Sequence, residues 1–238
     1  MIVVAGGTGQ LGSHVVNQLR ESDARASFAV LARDRAKSRH LVEQGVEVRL
    51  ADYDRPDELP RAFAGVKKLL FISTMAMNRA EQQKRVVDAA VAAGVQHIIY
   101  TGLAIRDIET SGVRDLMRSH FETEAHIAAS GVAFTFLRNT MYAEAIPVII
   151  GPQALERGIF LAGGQGRVPY ASRAEMGEAA ANVLLQRGHE GKTYQVAGPE
   201  AASYEEVARA LSEATGRTIA YQNISPAEQL AALEARAS

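Results

Sequence analysis

Residues 1–12 read MIVVAGGTGQLG, and their pattern is the strongest indication of the fold. The run Ile2–Ala5 is short, apolar and rich in β-branched residues, which indicates a buried strand. Three glycines follow it at a spacing of three residues, at the point where a helical pattern begins. Gly6 permits a tight turn, Gly9 lets the backbone approach a pyrophosphate, and Gly12 allows the helix to pack closely. The order strand, glycine turn, helix predicts a dinucleotide-binding unit.

Amides at the start of this helix would face the diphosphate, helped by the helix dipole. A glycine turn that merely joins a strand to a helix is the alternative. The position of this turn at the start of a βαβ unit argues against that alternative. We therefore expect the dinucleotide to be bound by Gly6, Thr8, Gly9, Gln10, Leu11 and Gly12.

The end of the second strand bears on the choice of cofactor. NAD sites usually place Asp or Glu about 20 residues beyond the glycine turn. Here that position is Ala32, followed by Arg33, with Lys37 further along. A guanidinium can hold a 2′-phosphate through charge-assisted hydrogen bonds, so we expect NADP(H) rather than NAD(H). Alternatively, Arg33 is a solvated residue whose charge is offset by neighbouring Asp34.

Apolar runs alternate with helical patterns along the first two thirds of the chain. This predicts an α/β fold, a Rossmann-type doubly wound parallel sheet with a small C-terminal substrate lobe. Residues 1–139 would form the nucleotide-binding core and residues 140–238 the lobe. The predicted strands are Ile2–Ala5, Phe28–Ala32, Val46–Leu50, Leu69–Ser73, His97–Thr101, Phe134–Leu137 and Thr193–Val196. The predicted helices of the core are Leu11–Arg20, Arg35–Gln44, Arg79–Ala93 and Phe121–Ala129. Capping boxes are predicted at Ser172/Glu175, Ser203/Glu206 and Ser225/Glu228.

Composition narrows the function classes. The 238 residues carry 26 basic and 27 acidic side chains, a net charge of −1, so a nucleic-acid or anionic membrane partner is not expected. There is no cysteine, which fits a reducing cytoplasm and excludes thiolate chemistry. The histidines and carboxylates show no metal-ligand spacing, so no metal is expected. A homodimer is a possible assembly.

Several segments together resemble the NmrA-like branch of atypical short-chain dehydrogenases/reductases, in particular triphenylmethane reductases and NADPH-dependent quinone oxidoreductases. The segments are Gly6–Gly12, Arg33, 45–48 with Asp52 and Tyr53, 71–73, 100–102 and 136–139. By this resemblance Ser73 and Thr74 line the cofactor, and Thr101 lies near the nicotinamide. Phe136 and Asn139 would border cofactor and substrate. Asp52 and Tyr53 either flank the adenine or are ordinary loop residues.

The chain departs from this family pattern in two places. Such proteins normally continue for several tens of residues beyond the position of Ser238, so we expect an altered substrate lobe. Ordinary short-chain reductases also carry Tyr-x-x-x-Lys on the helix after the fifth strand, where this chain reads His120-Phe121-Glu122-Thr123-Glu124. Several NmrA-like proteins lack the tyrosine too.

The missing tyrosine restricts the substrate. Reduction of a simple ketone develops a strongly basic alkoxide and profits from a positioned acid. A quinone instead gives a delocalised phenolate, and a triarylmethyl cation gives a neutral carbon. Orientation and cofactor reactivity supply most of what these reactions require. We therefore expect a quinone or another electron-poor aromatic acceptor, such as a cationic dye.

The sequence does not identify a catalytic group, and the two candidates are His120 and Tyr142. His120 either donates a proton or hydrogen bond to substrate, or is simply paired with Glu124 at a helix start. Tyr142, like Met75 and Asn139, is a candidate substrate contact, although Tyr142 would look the same as a packed lobe residue. Met77, Met141 and Phe160 either add to an apolar pocket wall or fill gaps in the core.

Two further classes of function compete with the reductase. The main alternative is a non-catalytic NADP(H)-binding redox sensor that regulates a protein partner. A sugar-nucleotide or steroid enzyme is disfavoured by the missing tyrosine and lysine.

Overall fold

The structure, a computed structural model, describes residues 1–22 and 26–237. The strands are β1 (Ile2–Ala5), β2 (Phe28–Ala32), β3 (Glu47–Leu50), β4 (Lys68–Ile72), β5 (His97–Leu103), β6 (Ala133–Asn139), β7 (Ile159–Leu161), β8 (Arg167–Val168), β9 (Lys192–Val196), β10 (Ala202–Ser203) and β11 (Tyr221–Asn223). The helices are α1 (Gln10–Glu21), α2 (Arg35–Glu43), α3 (Leu59–Ala62), α4 (Arg79–Ala92), α5 (Arg114–Ala129), α6 (Ile146–Ile150), α7 (Ala154–Arg157), α8 (Arg173–Leu185), α9 (Tyr204–Thr215) and α10 (Pro226–Ala237).

Seven strands form the central sheet, in the order β3-β2-β1-β4-β5-β6-β9, and every neighbouring pair is parallel. The chain winds outward from β1 to β3, then returns to the middle and winds the other way from β4 to β9. This confirms the predicted Rossmann-type doubly wound sheet. Folds of this kind bind dinucleotides at the carboxyl ends of the strands where the order reverses, here between β1 and β4.

Both faces of the sheet are covered, which explains the continuous apolar runs of its strands. On one face Val3 belongs to a buried cluster with Val87 of α4. On the other face Val4 belongs to a second cluster with Val15 of α1 and Leu184 of α8. Successive residues of β1 therefore point into different cores, because side chains alternate along a strand.

The chain divides into two compact units. The first contains Met1–Asn139 and Arg173–Val196, and the second contains Thr140–Ser172 and Ala197–Ser238. This division differs from the expected lobe of residues 140–238, because α8 and β9 belong to the sheet unit. Ala180 and Leu184 of α8 are buried in its core, and β9 pairs with β6.

The second unit has a small core of its own. Strands β7 and β11 pair in parallel, and β8 and β10 pair antiparallel. The core side chains are Ala154, Ile159, Leu161, Val207, Ala208 and Ile219. Two of the three predicted capping boxes are confirmed: the carboxylates of Glu206 and Glu228 accept from the backbone amides of Ser203 and Ser225, whose hydroxyls accept in return. The box at Ser172/Glu175 stays a prediction.

The sequence prediction was wrong for the start of one helix. We predicted a helix from Phe121, whereas α5 begins seven residues earlier at Arg114. Its first two turns carry the exposed apolar residue Leu116 among charged residues, so they lack the apolar stripe on which the prediction relied. Across the described residues, no helix has both the length and the apolar character needed to cross a membrane.

Candidate cofactor and active site

The turn between β1 and α1 depends on glycine at two positions. Gly6 has a φ of +91°, a conformation that residues with a side chain rarely adopt. A Cβ atom on Gly12 would overlap the carbonyl oxygen of Gly6. Only glycine therefore lets the first turn of α1 lie directly against the end of β1, which is the packing role predicted for Gly12.

The start of α1 is suited to an anion. Gly9 is the N-terminal cap residue, has an extended backbone and offers no side-chain cap to the helix amides. Thr8, Gly9 and Gln10 are all exposed. The first amides of a helix have no partner within it, and the dipole makes this end positive. Leu11 is only 5% exposed, so it can offer its backbone amide alone. These residues fit a dinucleotide diphosphate.

The positive side chains after β2 lie in a favourable setting. Asp34 accepts a hydrogen bond of 2.7 Å from the amide of Ala36 and caps the start of α2. This hydrogen bond fixes the Asp34 carboxylate at the start of α2 but leaves its negative charge in place, so the alternative role of Arg33 stays open. Arg33 and Lys37 are both exposed at this position. The two cations fit the 2′-phosphate of NADP(H).

Asp52 and Tyr53 follow β3 and have mainly local contacts. The Asp52 carboxylate accepts from the amide of Asp54 at 3.0 Å, and its own amide donates to Glu58. The Tyr53 ring packs edge-on against Phe71, with 5.9 Å between ring centroids, and burial raises the pKa of its phenol. These contacts favour the ordinary loop role over a role in flanking adenine.

Polar residues meet at the carboxyl ends of β4 and β5. The amide of Ser73 donates to Oγ1 of Thr101 at 3.0 Å, and Thr101 is buried. Thr74 Oγ1 lies 3.5 Å from Oε1 of Gln82 on α4. Gly6 is adjacent, since a Cβ on it would lie 3.1 Å from Ile72 at the end of β4. The glycine turn, Ser73 and Thr101 thus share the edge where the dinucleotide is expected.

The two predicted residues of β6 differ in their settings. Phe136 lies within the strand, where its ring stacks on Phe134 at 4.4 Å in the core. It is only 6% exposed, so packing accounts for it without a cofactor. Asn139 is the last residue of β6, and its carbonyl accepts from the amide of Ala104. Of the two, Asn139 has the position expected of a site residue.

His120 belongs to a buried polar network between α4, β5 and α5. Its Nδ1 lies 3.1 Å from the hydroxyl of Tyr100, which donates to Oε1 of Gln83 at 2.5 Å. Thr123 donates to the same Gln83 oxygen. Burial, together with the nearby charge of Arg79, lowers the pKa of His120 to about 4. His120 is therefore a neutral imidazole at pH 7.

The suggestion that His120 pairs with Glu124 is wrong. Glu124 forms a bidentate ion pair with Arg138, with distances of 2.6–3.2 Å. The Arg138 guanidinium also lies 5.2 Å from the centre of the Phe121 ring. His120 also lies in the second turn of α5 rather than at the helix start.

The candidate substrate contacts differ in exposure: Asn139 is buried, Tyr142 is half-buried, and the apolar candidates are exposed. Met75 and Met77, in the loop after β4, are 75% and 102% exposed. In the second unit, Met141 and Phe160 are also exposed, and Tyr142 forms a β-bridge with Ala171. The four apolar side chains therefore do not fill gaps in the core. No cluster of His, Asp or Glu with metal-binding geometry occurs among the described residues.

Sequence reasoning missed Arg79, Gln83 and Tyr100, which surround His120. A signal for the first two was present in the pattern of α4. Its buried apolar residues are Val86, Val87 and Ala90, and extending that stripe backward by helical periodicity reaches positions 83 and 79. Polar side chains on an apolar stripe indicate a buried network.

The chain belongs to the NmrA-like family, which it matches over residues 1–235. It is 41% identical to quinone oxidoreductase 2 of Escherichia coli, over 98% of this chain and 81% of that protein. The structure of an Escherichia coli NADPH-dependent quinone oxidoreductase complexed with NADPH superposes with a TM-score of 0.90, at 40% identity, covering 99% of this chain and 82% of the other. The family resemblance inferred from sequence is thus confirmed.

Two other relatives act on dyes. The NAD(P)H azoreductase of Xenophilus azovorans is 34% identical over 93% of this chain and 76% of its own. The triphenylmethane reductase of Citrobacter sp., complexed with NADP(H), superposes with a TM-score of 0.86 at 39% identity, covering 94% of this chain and 79% of the other.

Proposed function

We propose that this protein is an NADPH-dependent reductase that transfers hydride to a quinone or another electron-poor aromatic acceptor. The observation that carries the proposal is the start of α1, where Gly9 leaves the helix amides open. The exposed cations Arg33 and Lys37 follow β2, the parallel neighbour of β1. The likeness to quinone and dye reductases, two of them solved with NADPH or NADP(H), supports the same conclusion and favours it over a sensor.

Each cofactor residue then has a distinct task. The amides around Gly9 bind the diphosphate, and Arg33 with Lys37 binds the 2′-phosphate. Ser73 and Thr101, joined by their hydrogen bond, hold the carboxyl ends of β4 and β5 in register beside the nicotinamide. Bound NADPH supplies the hydride. The exposed Met75 offers an apolar, polarisable surface to an aromatic acceptor.

The replaced tyrosine and lysine support this class of acceptor. His120 and Glu124 are both committed to partners, Tyr100 and Arg138, and His120 is neutral at pH 7. A strongly basic alkoxide would need a positioned acid, but a delocalised phenolate does not. Simple ketones should therefore be poor substrates.

A panel of acceptors tests the proposal. The protein is mixed anaerobically with NADPH and, in turn, quinones, a cationic triarylmethane dye and unactivated ketones. The nicotinamide absorbance should fall with the quinones and stay constant with the ketones. Reduction of ketones as fast as quinones would contradict the argument from the missing acid.

We also infer that the protein works in the cytoplasm, without a nucleic-acid partner, and assembles as a homodimer. The absence of cysteine and the net charge of −1 support the first two inferences. Exposed Leu230 and Leu233 on α10 offer apolar surface for a second copy of the chain. Sedimentation at several concentrations checks the dimer: a monomer at every concentration contradicts it.

A further inference from the structure

Arg79 is a buried cation with weak partners. It is 5% exposed, at the first position of α4. Its Nε donates to the Ser119 hydroxyl at 2.6 Å, and its terminal nitrogens lie 3.7 Å and 3.8 Å from the sulfur atoms of Met75 and Met117. Among the described residues, Arg79 forms no ion pair with any carboxylate. Hydroxyl and thioether groups leave its charge uncompensated.

This arrangement is unfavourable for the fold alone. Burial of an unpaired charge costs free energy, and a well-packed apolar side chain of similar volume is often more stable. Arg79 also lies at the positive end of the α4 dipole, where cations are disfavoured. The charge of Arg79 also lowers the pKa of His120, although burial has the larger effect. The unpaired charge of Arg79 can therefore interact with a charge that develops on the substrate during the reaction.

Arg79 lies close to the expected acceptor position. It contacts Met75, which is 75% exposed in the loop that follows β4. The same loop begins with Ser73, whose amide binds Thr101. An acceptor that contacts Met75 would therefore lie about 7–10 Å from the Arg79 guanidinium. Coulomb interactions inside a protein are still large at this distance.

The two classes of acceptor respond oppositely to a nearby cation. Hydride transfer delivers two electrons and one hydrogen nucleus to a quinone, so that one oxygen becomes a phenolate until solvent supplies a proton. A triarylmethyl dye begins as a cation and ends neutral. A fixed positive charge therefore stabilises the transition state for the quinone and opposes binding of the dye.

We propose that Arg79 is a specificity-determining residue that makes the enzyme prefer uncharged quinones to cationic dyes. This inference rests on the proposed function. A unit charge acting across about 7–10 Å at an effective dielectric of about 20 changes a rate by about 15- to 60-fold. The preference should be insensitive to salt, since a buried charge is screened little.

The first test measures kcat/KM for an uncharged quinone and for a cationic triphenylmethane dye, each with NADPH. Arg79→Met, which matches the surrounding thioethers, should lower the quinone-to-dye ratio by at least about 15-fold. Arg79→Lys keeps the charge and should keep most of the ratio. Ser119→Ala, the control, removes the 2.6 Å hydrogen bond but not the charge, and should leave the ratio unchanged. Equal losses for both acceptors in Arg79→Met would overturn the proposal.

The second test needs no turnover. The wild-type protein with NADP⁺ is titrated calorimetrically with a nitrophenolate and with the corresponding methyl ether, which lacks the charge. The phenolate should bind at least about tenfold more tightly. Because the oxidised nicotinamide is also a cation, the titration is repeated with Arg79→Met, in which this preference should fall; equal binding of the two ligands by the wild type, or an undiminished preference in Arg79→Met, overturns the role of Arg79. Failure of the wild type to reduce any acceptor would instead contradict the proposed function, so the two failures are distinguishable.

Discussion

The backbone of Gly102 and the carboxylate of Glu124 occupy adjoining space: a Cβ on Gly102 would come 2.5 Å from Oε1 of Glu124. Glu124 is 4% exposed and gives both oxygens to Arg138. Because Gly102 of β5 has no side chain, there is space for the ion pair that joins α5 to β6. Arg138 is paired in register with Gly102, the residue after Thr101, and it directly precedes Asn139, so the ion pair also supports the expected site.

Gly102→Ala should destabilise the protein by about 1–3 kcal/mol, because the new methyl group displaces a buried, paired carboxylate. Chemical denaturation gives the free energy of unfolding. Gly112→Ala is the matched control, since a Cβ there meets nothing within 4 Å. An unchanged free energy of unfolding for Gly102→Ala would mean that the Glu124 carboxylate can shift away from the new methyl group without loss of stability.

The buried His120 should make stability depend on pH. Its pKa falls from an ordinary value of 6.5 to about 4 in the folded protein, so the unfolded chain binds the proton more readily. Folding stability is therefore complete above pH 6.5 and decreases as the pH falls toward 4, by about 3 kcal/mol. His120→Gln should remove this part of the slope, and His40→Gln, at an exposed position of α2, should not. Parallel slopes for wild type and His120→Gln would refute the assignment.

Arg33 should determine the preference for NADPH. Loss of charge-assisted hydrogen bonds to the 2′-phosphate costs about 1.5–3 kcal/mol, or roughly 10- to 150-fold in affinity. Calorimetry should show that loss for NADPH with Arg33→Ala and almost none for NADH. Arg39→Ala, which removes only an exposed pair with Glu43, serves as the control. Equal losses for both cofactors would show that Arg33 does not bind the phosphate.

Substitution of Gly9 by Val and substitution of Gly12 by Val should have different effects. Gly9 has a φ of −83°, and a Cβ there would lie 3.3 Å from the Gly6 oxygen, so Gly9→Val should fold with a near-native circular dichroism spectrum. Its side chain should nevertheless obstruct the pyrophosphate and abolish NADPH binding. Gly12→Val should instead unfold the protein, since its Cβ would overlap the Gly6 carbonyl. Tight NADPH binding by Gly9→Val would mean that the phosphate is held elsewhere.

Local patterns predicted the sheet well. Both β1 and β2 have the predicted bounds, because runs buried on both faces are apolar at every position. The same reasoning could not foresee that residues 173–196 return to the first unit, because local periodicity does not specify which core a helix joins. It is tertiary packing that buries Leu184 of α8 in the sheet core.

The candidate site, like the fold, was predictable from the sequence only in part. The glycine turn was predictable because backbone sterics tie Gly6 and Gly12 to one geometry. The partners of His120 were not, because Tyr100 and Gln83 are distant in sequence and meet only through the packing of α4 and α5 on β5. Local spacing favoured Glu124 as the partner of His120, and a long-range ion pair with Arg138 prevailed.

Bound NADPH should reduce an aromatic acceptor on this protein. An anaerobic single turnover measures this step, when the preformed complex with NADPH is mixed with excess quinone and the nicotinamide absorbance is followed. We expect full loss of that absorbance in one phase, slowed when the transferred hydrogen of NADPH is deuterium. Complete retention of the absorbance, with NADPH binding demonstrated by calorimetry in the same preparation, would contradict the assignment as a reductase.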